Sequence, residues 1–202
     1  MRFALVADAY PPLRTSGAVQ LRDLSQEFVR QGHEVTVLVP SQDMNTPFAI
    51  ETLEGVQVLR LAALRTKDTG YVRRTLGEML LSFLMLRGLR KSHLRDTKWD
   101  AVIWYSPTIF LGPLAAALKR AAGCPGYLIL RDIFPEWAVD MGLLRKGVVY
   151  RFFKLVERYQ YSVADVIGVQ SPSGLPYMQA WSKKPGRRLE VLQNWLAPAA
   201  NI

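Results

Sequence analysis

Short apolar runs alternate along the chain with longer segments in which apolar residues recur at helical spacing. The short runs predict seven strands, at residues 3–7, 35–39, 56–61, 100–104, 127–130, 166–169 and 189–192. Helical spacing predicts helices at about residues 19–31, 71–94 and 148–164, one that ends near residue 119, and one that begins at Ser171 and Pro172. Residues 41–54 are expected to form a polar connection. This alternation predicts an α/β fold with a Rossmann-like, doubly wound, mostly parallel sheet.

The same pattern predicts the domain boundaries. Strands and helices fill residues 1–192, which we interpret as one domain. Residues 193–202 complete no helix or strand, so we expect them to begin a linker to a second domain that is absent from this sequence.

Composition adds one strong constraint, the net charge. Half of the 202 residues are hydrophobic and 21% are charged, which is ordinary for a globular protein, but the net charge of +9 is high. This excess predicts an anionic partner, namely nucleic acid, a phosphorylated ligand or an acidic membrane surface. Nucleic acid is disfavoured, because the basic residues are interleaved with long aliphatic residues and the sequence contains no recognisable DNA- or RNA-binding module.

Several classes of site have no support in the sequence. The single cysteine, Cys124, excludes an internal disulfide, and no cluster of metal ligands is apparent. Neither the dinucleotide-binding nor the P-loop glycine pattern occurs. The N-terminus lacks the apolar segment of a signal peptide, and no stretch has the roughly eighteen continuous apolar residues of a membrane-spanning helix. We therefore expect a cytoplasmic protein that uses no metal and no resident cofactor.

The strongest candidate site follows the predicted strand at residues 127–130. That apolar run stops abruptly at Arg131 and Asp132, and Glu136 follows a few residues later. Because ligands bind at the carboxyl ends of strands in open α/β sheets, these residues are expected to form one wall of a site. A polar loop with a salt bridge is the alternative interpretation.

A second candidate lies between the first predicted strand and the helix that follows it. The segment Thr15–Ala18 contains Ser16 and Gly17, and backbone N–H groups at a helix start attract a phosphate or a carboxylate. Glycine lets such a ligand approach the backbone closely. An ordinary connecting loop explains the segment equally well.

The predicted helix at residues 71–94 is amphipathic and basic. Val72, Leu76, Met79, Leu80, Phe83 and Leu86 form an apolar stripe, which Leu84 and Met85 widen. Basic residues cluster towards its ends at Arg73, Arg74, Arg87, Arg90 and Lys91. We favour a helix that lies on an anionic membrane surface, and the alternative is a helix that covers the sheet with a solvated basic edge.

Several segments taken in order resemble the N-terminal half of family 4 retaining glycosyltransferases, which have the GT-B fold. The resemblance lies in Met1–Val6 with Tyr10–Pro12 and Ser16–Ala18, and in Gly32–Leu38. Arg131–Glu136 with Gly142–Leu144 resembles the Asp-aromatic-Pro-Glu segment of bacterial members that build surface polysaccharide, including lipopolysaccharide-type N-acetylfucosamine transferases. Gln193–Trp195 is similar to the segment that begins the linker between the two domains of that family.

This resemblance implies roles for individual residues. Ser16, Gly17 and Ala18 would line the cleft near the diphosphate of a nucleotide-sugar donor, which the missing second domain would hold. Asp132 would position or polarise the acceptor, with Arg131 and Glu136 supporting it by ion pairing or hydrogen bonding. The family often has Gly-Gly where this sequence has Ser16-Gly17, so the backbone path there is expected to differ.

The function implied is that of the acceptor-binding domain of a glycosyltransferase. The whole enzyme would transfer a sugar to a polyprenyl-diphosphate-linked saccharide at the inner face of the bacterial cytoplasmic membrane, and this chain alone would be inactive. The alternative from the residues themselves is a stand-alone α/β module that binds a phosphorylated or lipid ligand without chemistry.

Overall fold

Eight strands and six α-helices make up the computed structural model, which describes residues 1–42, 44–65 and 70–197 and, for residues 71–73, only the backbone. The strands are β1 (Arg2–Val6), β2 (Glu34–Ser41), β3 (Phe48–Leu53), β4 (Val56–Ala62), β5 (Ala101–Ser106), β6 (Gly126–Leu130), β7 (Val166–Val169) and β8 (Arg188–Val191). The helices are α1 (Ser16–Arg30), α2 (Tyr71–Lys91), α3 (Gly112–Ala122), α4 (Glu136–Asp140), α5 (Val148–Val163) and α6 (Leu175–Ser182).

All eight strands belong to a single sheet with the order β3-β4-β2-β1-β5-β6-β7-β8. Every neighbouring pair is parallel except β3 and β4. At the centre, Val6 of β1 is in register with Leu38 of β2 on one side and Trp104 of β5 on the other. This arrangement confirms the predicted Rossmann-like, mostly parallel α/β fold.

Helices cover both faces of the sheet, which makes the fold doubly wound. On one face, Leu21 of α1 packs with Phe3 and Leu5 of β1. On the other face, Leu81 and Met85 of α2 share a larger core with residues of α3, α5 and α6. Alternate residues of β1 therefore enter different cores, as expected for a strand that is buried on both sides.

The prediction of a polar connection at residues 41–54 is wrong. Phe48–Leu53 forms the edge strand β3, which pairs antiparallel with β4 through a tight turn at Glu54 and Gly55. Both turn residues have positive φ values, 50° and 83°, and the glycine accommodates this backbone without strain. Glu51 of β3 also forms an ion pair with Arg60 of β4. A polar residue on this strand therefore contributes to the contact between the two strands.

Several other boundaries differ from the sequence-based prediction, among them the start of α1 and the end of α2. Helix α1 begins at Ser16, because the Thr15 side chain accepts a hydrogen bond from the Ala18 N–H and caps the helix. Residues 16–18 therefore form the first helical turn and not the preceding loop. The short helix α4 lies in the region after β6, where no helix was predicted, and α2 ends at Lys91 and not at residue 94.

Helix α2 buries its glycines and Ser82 and exposes four of its large apolar side chains. Gly88 lies so close to the edge hairpin that an added Cβ would be 2.6 Å from the Pro47 carbonyl oxygen. The buried positions are Gly77, Leu81, Ser82, Met85, Gly88 and Leu89. Met85, which we predicted to widen the exposed apolar surface, is completely buried.

The exposed part of the predicted stripe comprises four side chains: Leu76, Met79, Leu80 and Phe83. The basic side chains Arg74, Arg87, Arg90 and Lys91 are exposed beside them. Predictions for the side chain of Arg73 and for residues 198–202 lie outside the described residues. No helix in the described ranges has both the length and the apolar character needed to cross a membrane.

The packing of α3 against α5 leads to a stability prediction. A Cβ added at Gly112, the first residue of α3, would lie 2.9 Å from the Cα of Gln160 in α5. Because that contact is with backbone, we expect Gly112→Ala to lower the free energy of unfolding by about 2 kcal/mol in urea denaturation. The control Gly70→Ala adds its methyl group to open space. It should lower the free energy of unfolding by less than about 1 kcal/mol, because the only loss is that of a glycine at the N-cap of α2. Equal losses would contradict this account.

Candidate functional site

A large cleft of about 1150 Å³ lies at the carboxyl edge of the sheet. Its walls come from segments that follow the central strands: Asp8 after β1, Gln42 after β2, Pro107 after β5, Arg131 after β6 and Gln170 after β7. Parallel strands place their carboxyl ends at the same edge, so residues far apart in sequence meet there.

The cleft includes the point at which β1 and β5 lie side by side. The chain leaves β1 towards α1 on one face of the sheet and leaves β5 towards α3 on the other. The two connections therefore diverge and leave a crevice between them, which is the usual position of a ligand in open α/β sheets. Ser16, Gly17 and Tyr105 line this crevice.

The start of α1 points into this crevice. The Thr15 hydroxyl accepts from the Ala18 N–H at 3.3 Å, whereas the N–H groups of Ser16 and Gly17 belong to the open end of the helix. Ala18 itself is fully buried and does not contribute to the cleft lining. The positive end of the helix dipole favours an anion here.

The ring of Tyr105 leaves little room for a side chain at position 17. An added Cβ would lie 3.2 Å from Cε1 of Tyr105 and 3.3 Å from its hydroxyl oxygen. Burial raises the pKa of the Tyr105 hydroxyl, which therefore stays protonated at neutral pH and can donate; Gln20 lies 3.4 Å from it. The backbone at the helix start and this ring thus form one continuous surface.

Asp132 also lines the cleft, and its side chain is exposed. Among the described residues, its carboxylate forms no hydrogen bond or ion pair. The side chain is accessible to water but is surrounded by protein on the inner side of the concave wall, and this desolvation raises the pKa of its carboxyl group. A carboxylate held in this way is available to accept a hydrogen bond from a ligand hydroxyl.

Arg131 also lines the cleft, but its guanidinium group is used within the protein. Its Nη1 donates to the Leu192 carbonyl oxygen at 2.7 Å, and its Cζ lies 4.8 Å from the ring centroid of Trp195 and 6.0 Å from that of Tyr105. Burial lowers the pKa of Arg131, since Nε and Nη2 are shielded from water without a partner in the described part of the chain. Its contacts fasten residues 192–195 to the end of β6.

Glu136 lies outside the lining of the large cleft. It contributes instead to a second cavity of about 380 Å³ between α5 and α6. There it forms an ion pair with Lys154 at 2.5 Å and accepts hydrogen bonds from the Tyr150 hydroxyl at 3.1–3.2 Å. Burial acts to raise the pKa of Glu136, but the hydrogen bonds and charge of Lys154 outweigh it and lower the pKa. The structure thus directs both Glu136 and Arg131 to partners other than Asp132.

Lys154 holds a second carboxylate, that of Glu157, at 2.9 Å. The Glu157 side chain is almost completely buried, and burial raises the pKa of its carboxyl group in spite of this partner. The cluster explains how α5 accommodates a buried acid in its inner face. Its contacts are those of a structural network that joins α4 to α5.

Helix α2 contributes Arg74, Glu78 and Leu81 to the cleft. Nε of Arg74 donates to Oε1 of Glu78 at 2.9 Å, one turn further along the helix. Arg60 of β4 lies nearby and donates to Oε1 of Glu51 at 2.6 Å. The wall on this side therefore carries two guanidinium groups.

Sequence reasoning missed Tyr105, Arg60 and Asn194, although one signal was available. Tyr105 and Asn194 come one and two residues after the predicted strands 100–104 and 189–192, as Arg131 and Asp132 do after the strand at 127–130. Extending that rule to every predicted strand would have found these two, whereas Arg60 lies inside β4. No group of three or more His, Cys, Asp or Glu side chains that could hold a metal ion occurs in the ranges described.

Residues 193–197 run back over α1. The Trp195 indole donates from Nε1 to the Gln20 carbonyl oxygen at 2.9 Å, and the Ala197 N–H donates to Oδ2 of the buried Asp23 at 2.9 Å. Together with the contact to Arg131, these bonds order a segment that contains no helix or strand.

The fold is similar to that of several glycosyltransferases of known structure. A sucrose-phosphate synthase from Thermosynechococcus elongatus superposes with a TM-score of 0.67 at 16% identity, over 94% of this chain and 47% of that one. The catalytic domain of starch synthase IV from Arabidopsis thaliana, bound to ADP and acarbose, gives 0.63 at 11% identity, over 95% and 51%. A trehalose-phosphate synthase from Burkholderia xenovorans, in complex with glucose-6-phosphate, gives 0.57 at 16% identity, over 87% and 41%.

The chain thus spans about half the length of these structures. The architecture is that of a Rossmann-like domain of the GT-B glycosyltransferase fold. The sequence itself belongs to the glycosyl transferase 4-like domain family, whose model matches residues 16–195. That match extends from the start of α1 to Trp195. Among curated proteins, no sequence matches the chain.

The contacts of Arg131 lead to a second prediction. Arg131→Ala removes the hydrogen bond to Leu192 and the stacking on Trp195, so we expect it to lower the free energy of unfolding by about 1.5–3 kcal/mol in urea denaturation. The same variant should increase acrylamide quenching of Trp195 in a background that lacks the other four tryptophans. Arg145→Ala, at an exposed position, should change stability by less than about 0.5 kcal/mol. Unchanged quenching would show that Arg131 does not fasten this segment.

Proposed function

We propose that this chain is the acceptor-binding domain of a retaining glycosyltransferase that transfers a sugar from a nucleotide-sugar to a lipid-linked saccharide in bacterial surface-polysaccharide synthesis. Membership of the glycosyl transferase 4-like family supports the activity. The main observation that supports a lipid-linked acceptor is that α2 has two differently exposed sides. One side of this helix lines the cleft, and the other exposes an apolar stripe beside basic residues.

The donor side of the proposed reaction lies at the start of α1. The N–H groups of Ser16 and Gly17 and the helix dipole suit a diphosphate, and the ring of Tyr105 fixes how closely it approaches. The second domain, expected beyond residue 202, would hold the nucleotide. The ADP in the starch synthase structure supports a nucleotide-linked donor. The donor is a substrate, and we propose neither a metal nor a resident cofactor.

Asp132 is the residue proposed to act on the acceptor. Its carboxylate faces the cleft without a partner of its own among the described residues, so it can accept a hydrogen bond from the acceptor hydroxyl. That bond orients the oxygen towards the sugar carbon and strengthens as the hydroxyl proton becomes more acidic during transfer. We propose that the leaving diphosphate takes up this proton on the same face of the donor, which retains the configuration.

The acceptor's lipid would remain in the membrane while its saccharide enters the cleft. Leu76, Met79, Leu80 and Phe83 are proposed to enter the interface, with Arg74, Arg87, Arg90 and Lys91 contacting anionic headgroups. Arg74 lies on the cleft wall as well, where it would also face the acceptor diphosphate. The protein would then work at the inner surface of the cytoplasmic membrane as a peripheral enzyme.

Loss of the Asp132 carboxylate should abolish transfer without loss of the fold. In the full-length gene product, Asp132→Asn is expected to lower kcat for transfer to a lipid-linked acceptor by about 100-fold or more. Because burial disfavours the charged carboxylate in the folded state, this variant should be at least as stable as the wild type at neutral pH, and the difference should vanish at low pH.

Asp140→Asn is the matched control, since Asp140 is exposed at the end of α4 and lies outside the cleft lining. It should transfer at the wild-type rate. Wild-type turnover by Asp132→Asn would exclude the assigned role. The deprotonated carboxylate is the required form, so the activity of the wild type should fall with decreasing pH from a higher pH than an ordinary aspartate would give.

Membrane docking through α2 predicts a dependence on salt. Binding of the full-length gene product to vesicles of anionic phospholipid should weaken as NaCl rises from about 50 mM to about 500 mM, because salt screens surface charges. The triple variant Arg87→Gln, Arg90→Gln and Lys91→Gln should bind more weakly at low salt, at a cost of about 1 kcal/mol for each charge. Binding that is independent of salt, or equal on zwitterionic vesicles, would contradict this mode of docking.

A further inference from the structure

A second group of exposed apolar side chains lies between residues 137 and 159, outside the predicted stripe on α2. Eighteen large apolar side chains of the described residues are exposed; four of them lie on α2, and eight lie between residues 137 and 159. The eight are Trp137, Met141, Leu143, Val148, Val149, Phe152, Leu155 and Tyr159. Val148 is 84% exposed, and Leu155 is 69% exposed. A soluble surface rarely concentrates so many such side chains in one segment.

Half of these side chains form one stripe on α5. Val148, Phe152, Leu155 and Tyr159 follow one another at spacings of four, three and four residues, so they lie along a single side of the helix. The opposite side of α5 buries Glu157, Gln160 and Tyr161. The stripe therefore faces away from the sheet, and no described part of the chain covers it.

The exposed charges around this stripe are basic with one exception. Arg145, Lys146, Arg151 and Arg158 are exposed, and Asp140 at the end of α4 is the one exposed acidic side chain between residues 137 and 159. Glu157, the other acidic residue in this range, is buried against Lys154. A mixture of many exposed apolar and basic side chains with a single acidic one is typical of a segment that lies in an anionic lipid interface.

Helix α3 makes this surface continuous with that of α2. The segment 109–111 and α3 pack between α2 and α5, as shown by the Ser82 Oγ hydrogen bond to the Phe110 carbonyl and the ring contact of Phe110 with Phe153. The outward residues of α3 are Pro113, Ala116, Ala117 and Arg120. In the described parts of α2, α3 and α5, no acidic side chain is exposed. Glu78 is half-buried and forms an ion pair with Arg74.

We propose that the outer faces of α2, α3 and α5, together with residues 137–147, form one anionic-membrane-binding surface, with α5 as its main apolar anchor. This inference deepens the proposed function, because that function requires the cleft to lie at a membrane. A polyanion such as nucleic acid offers nothing to the exposed valine, leucine and phenylalanine side chains. A protein partner would need complementary acidic and apolar groups, whereas an anionic lipid leaflet supplies both over the whole area.

On α5 the apolar side chains are concentrated at the end next to the cleft. Helices α2 and α5 both start at the carboxyl edge of the sheet, where the chain leaves β4 and the end of β6. The exposed apolar residues of α5 lie mainly at 148–155, in the half nearest that edge, and those of α2 lie at 76–83, around the middle of the helix. The proposed surface therefore enters the lipid most deeply where α5 adjoins the cleft, and Arg87, Arg90 and Lys91 at the far end of α2 contact headgroups.

The test is sedimentation of the full-length gene product with vesicles of phosphatidylcholine containing anionic phosphatidylglycerol. Val148→Ser with Leu155→Ser, both at strongly exposed positions, should lower the partition coefficient by about tenfold or more, since each loses apolar contact with lipid. Arg151→Gln with Arg158→Gln should lower it by a similar factor at low salt, at roughly fivefold for each charge. Circular dichroism and thermal unfolding of each variant establish that the fold is retained.

Two controls isolate the surface from general effects. Arg2→Gln with Arg30→Gln removes the same two charges from exposed positions away from α2, α3 and α5, and Tyr177→Ser removes an exposed aromatic side chain from α6. Neither should change vesicle binding by more than about twofold. Equal losses in the controls, or wild-type binding by both α5 variants, would overturn the proposal. Concentration-dependent self-association that the α5 variants abolish, with unchanged vesicle binding, would instead assign this face to a dimer.

The vesicle measurement does not depend on catalysis. If the gene product binds vesicles through α5 but transfers no sugar, the surface stands and the proposed enzymatic function fails. If it transfers sugar to a lipid-linked acceptor while the α5 variants bind vesicles normally, the function stands and this surface is wrong. An α5 variant that loses vesicle binding should also retain transfer to a water-soluble acceptor analogue.

Discussion

The hydrogen-bonded ladder of β1, held between β2 and β5, is the constraint from which the site follows. Val6 is in register with Leu38 on one side and Trp104 on the other, and β1 is buried beyond its first residue. Because the chain leaves β1 and β5 towards opposite faces, the connections must separate at the carboxyl edge. The crevice is therefore a product of topology, and the residues in it need no contiguous motif.

Tyr105 and Arg131 convert that crevice into a defined surface. The ring of Tyr105 lies against Gly17 at the start of α1, and the guanidinium of Arg131 lies between this ring and Trp195. The start of α1, the end of β6 and residues 192–195 are thus connected through one series of contacts. A displacement of Trp195 would be transmitted to the helix start through Arg131 and Tyr105, since packed groups do not deform independently.

The sequence pattern predicts the central part of this fold well, because β1, β2, β5, β6 and β7 are buried on both faces and appear as continuous apolar runs. The edge strand β3 was missed because it pairs on one side alone and carries polar residues such as Glu51 and Thr52. The exposure of Leu76 and Phe83 could not be settled from spacing. Gly77, Ser82 and Gly88 form the buried side of α2, since close approach to residues 47 and 110 requires small side chains.

The candidate site, like the fold, was predicted from the sequence only in part. Asp132 was predicted because it follows a strand and Ser16–Gly17 because they lie at a helix start, and the structure places all three residues in the lining of one cleft. Glu136 was expected beside Asp132 because the two are close in sequence. Its partners Lys154 and Tyr150 come from α5, and such a tertiary contact cannot be predicted from the sequence around Glu136. Arg131 was expected to face a ligand, but its guanidinium group instead contacts residues about sixty positions later in the sequence.

The two sides of α2 determine how far the cleft lies from the exposed apolar surface. Leu81 lines the cleft, and Leu80 and Phe83, within one turn of it, are exposed on the outside. An α-helix with its side chains is about 10–12 Å across, so a group that contacts the cleft side of α2 lies within about that distance of the outer surface of the helix. A ligand with a polar head and an apolar tail could place its head beside Arg74 and its tail along Leu76 without crossing the domain. The same helix therefore forms the wall of the site and sets its distance from whatever covers the apolar stripe.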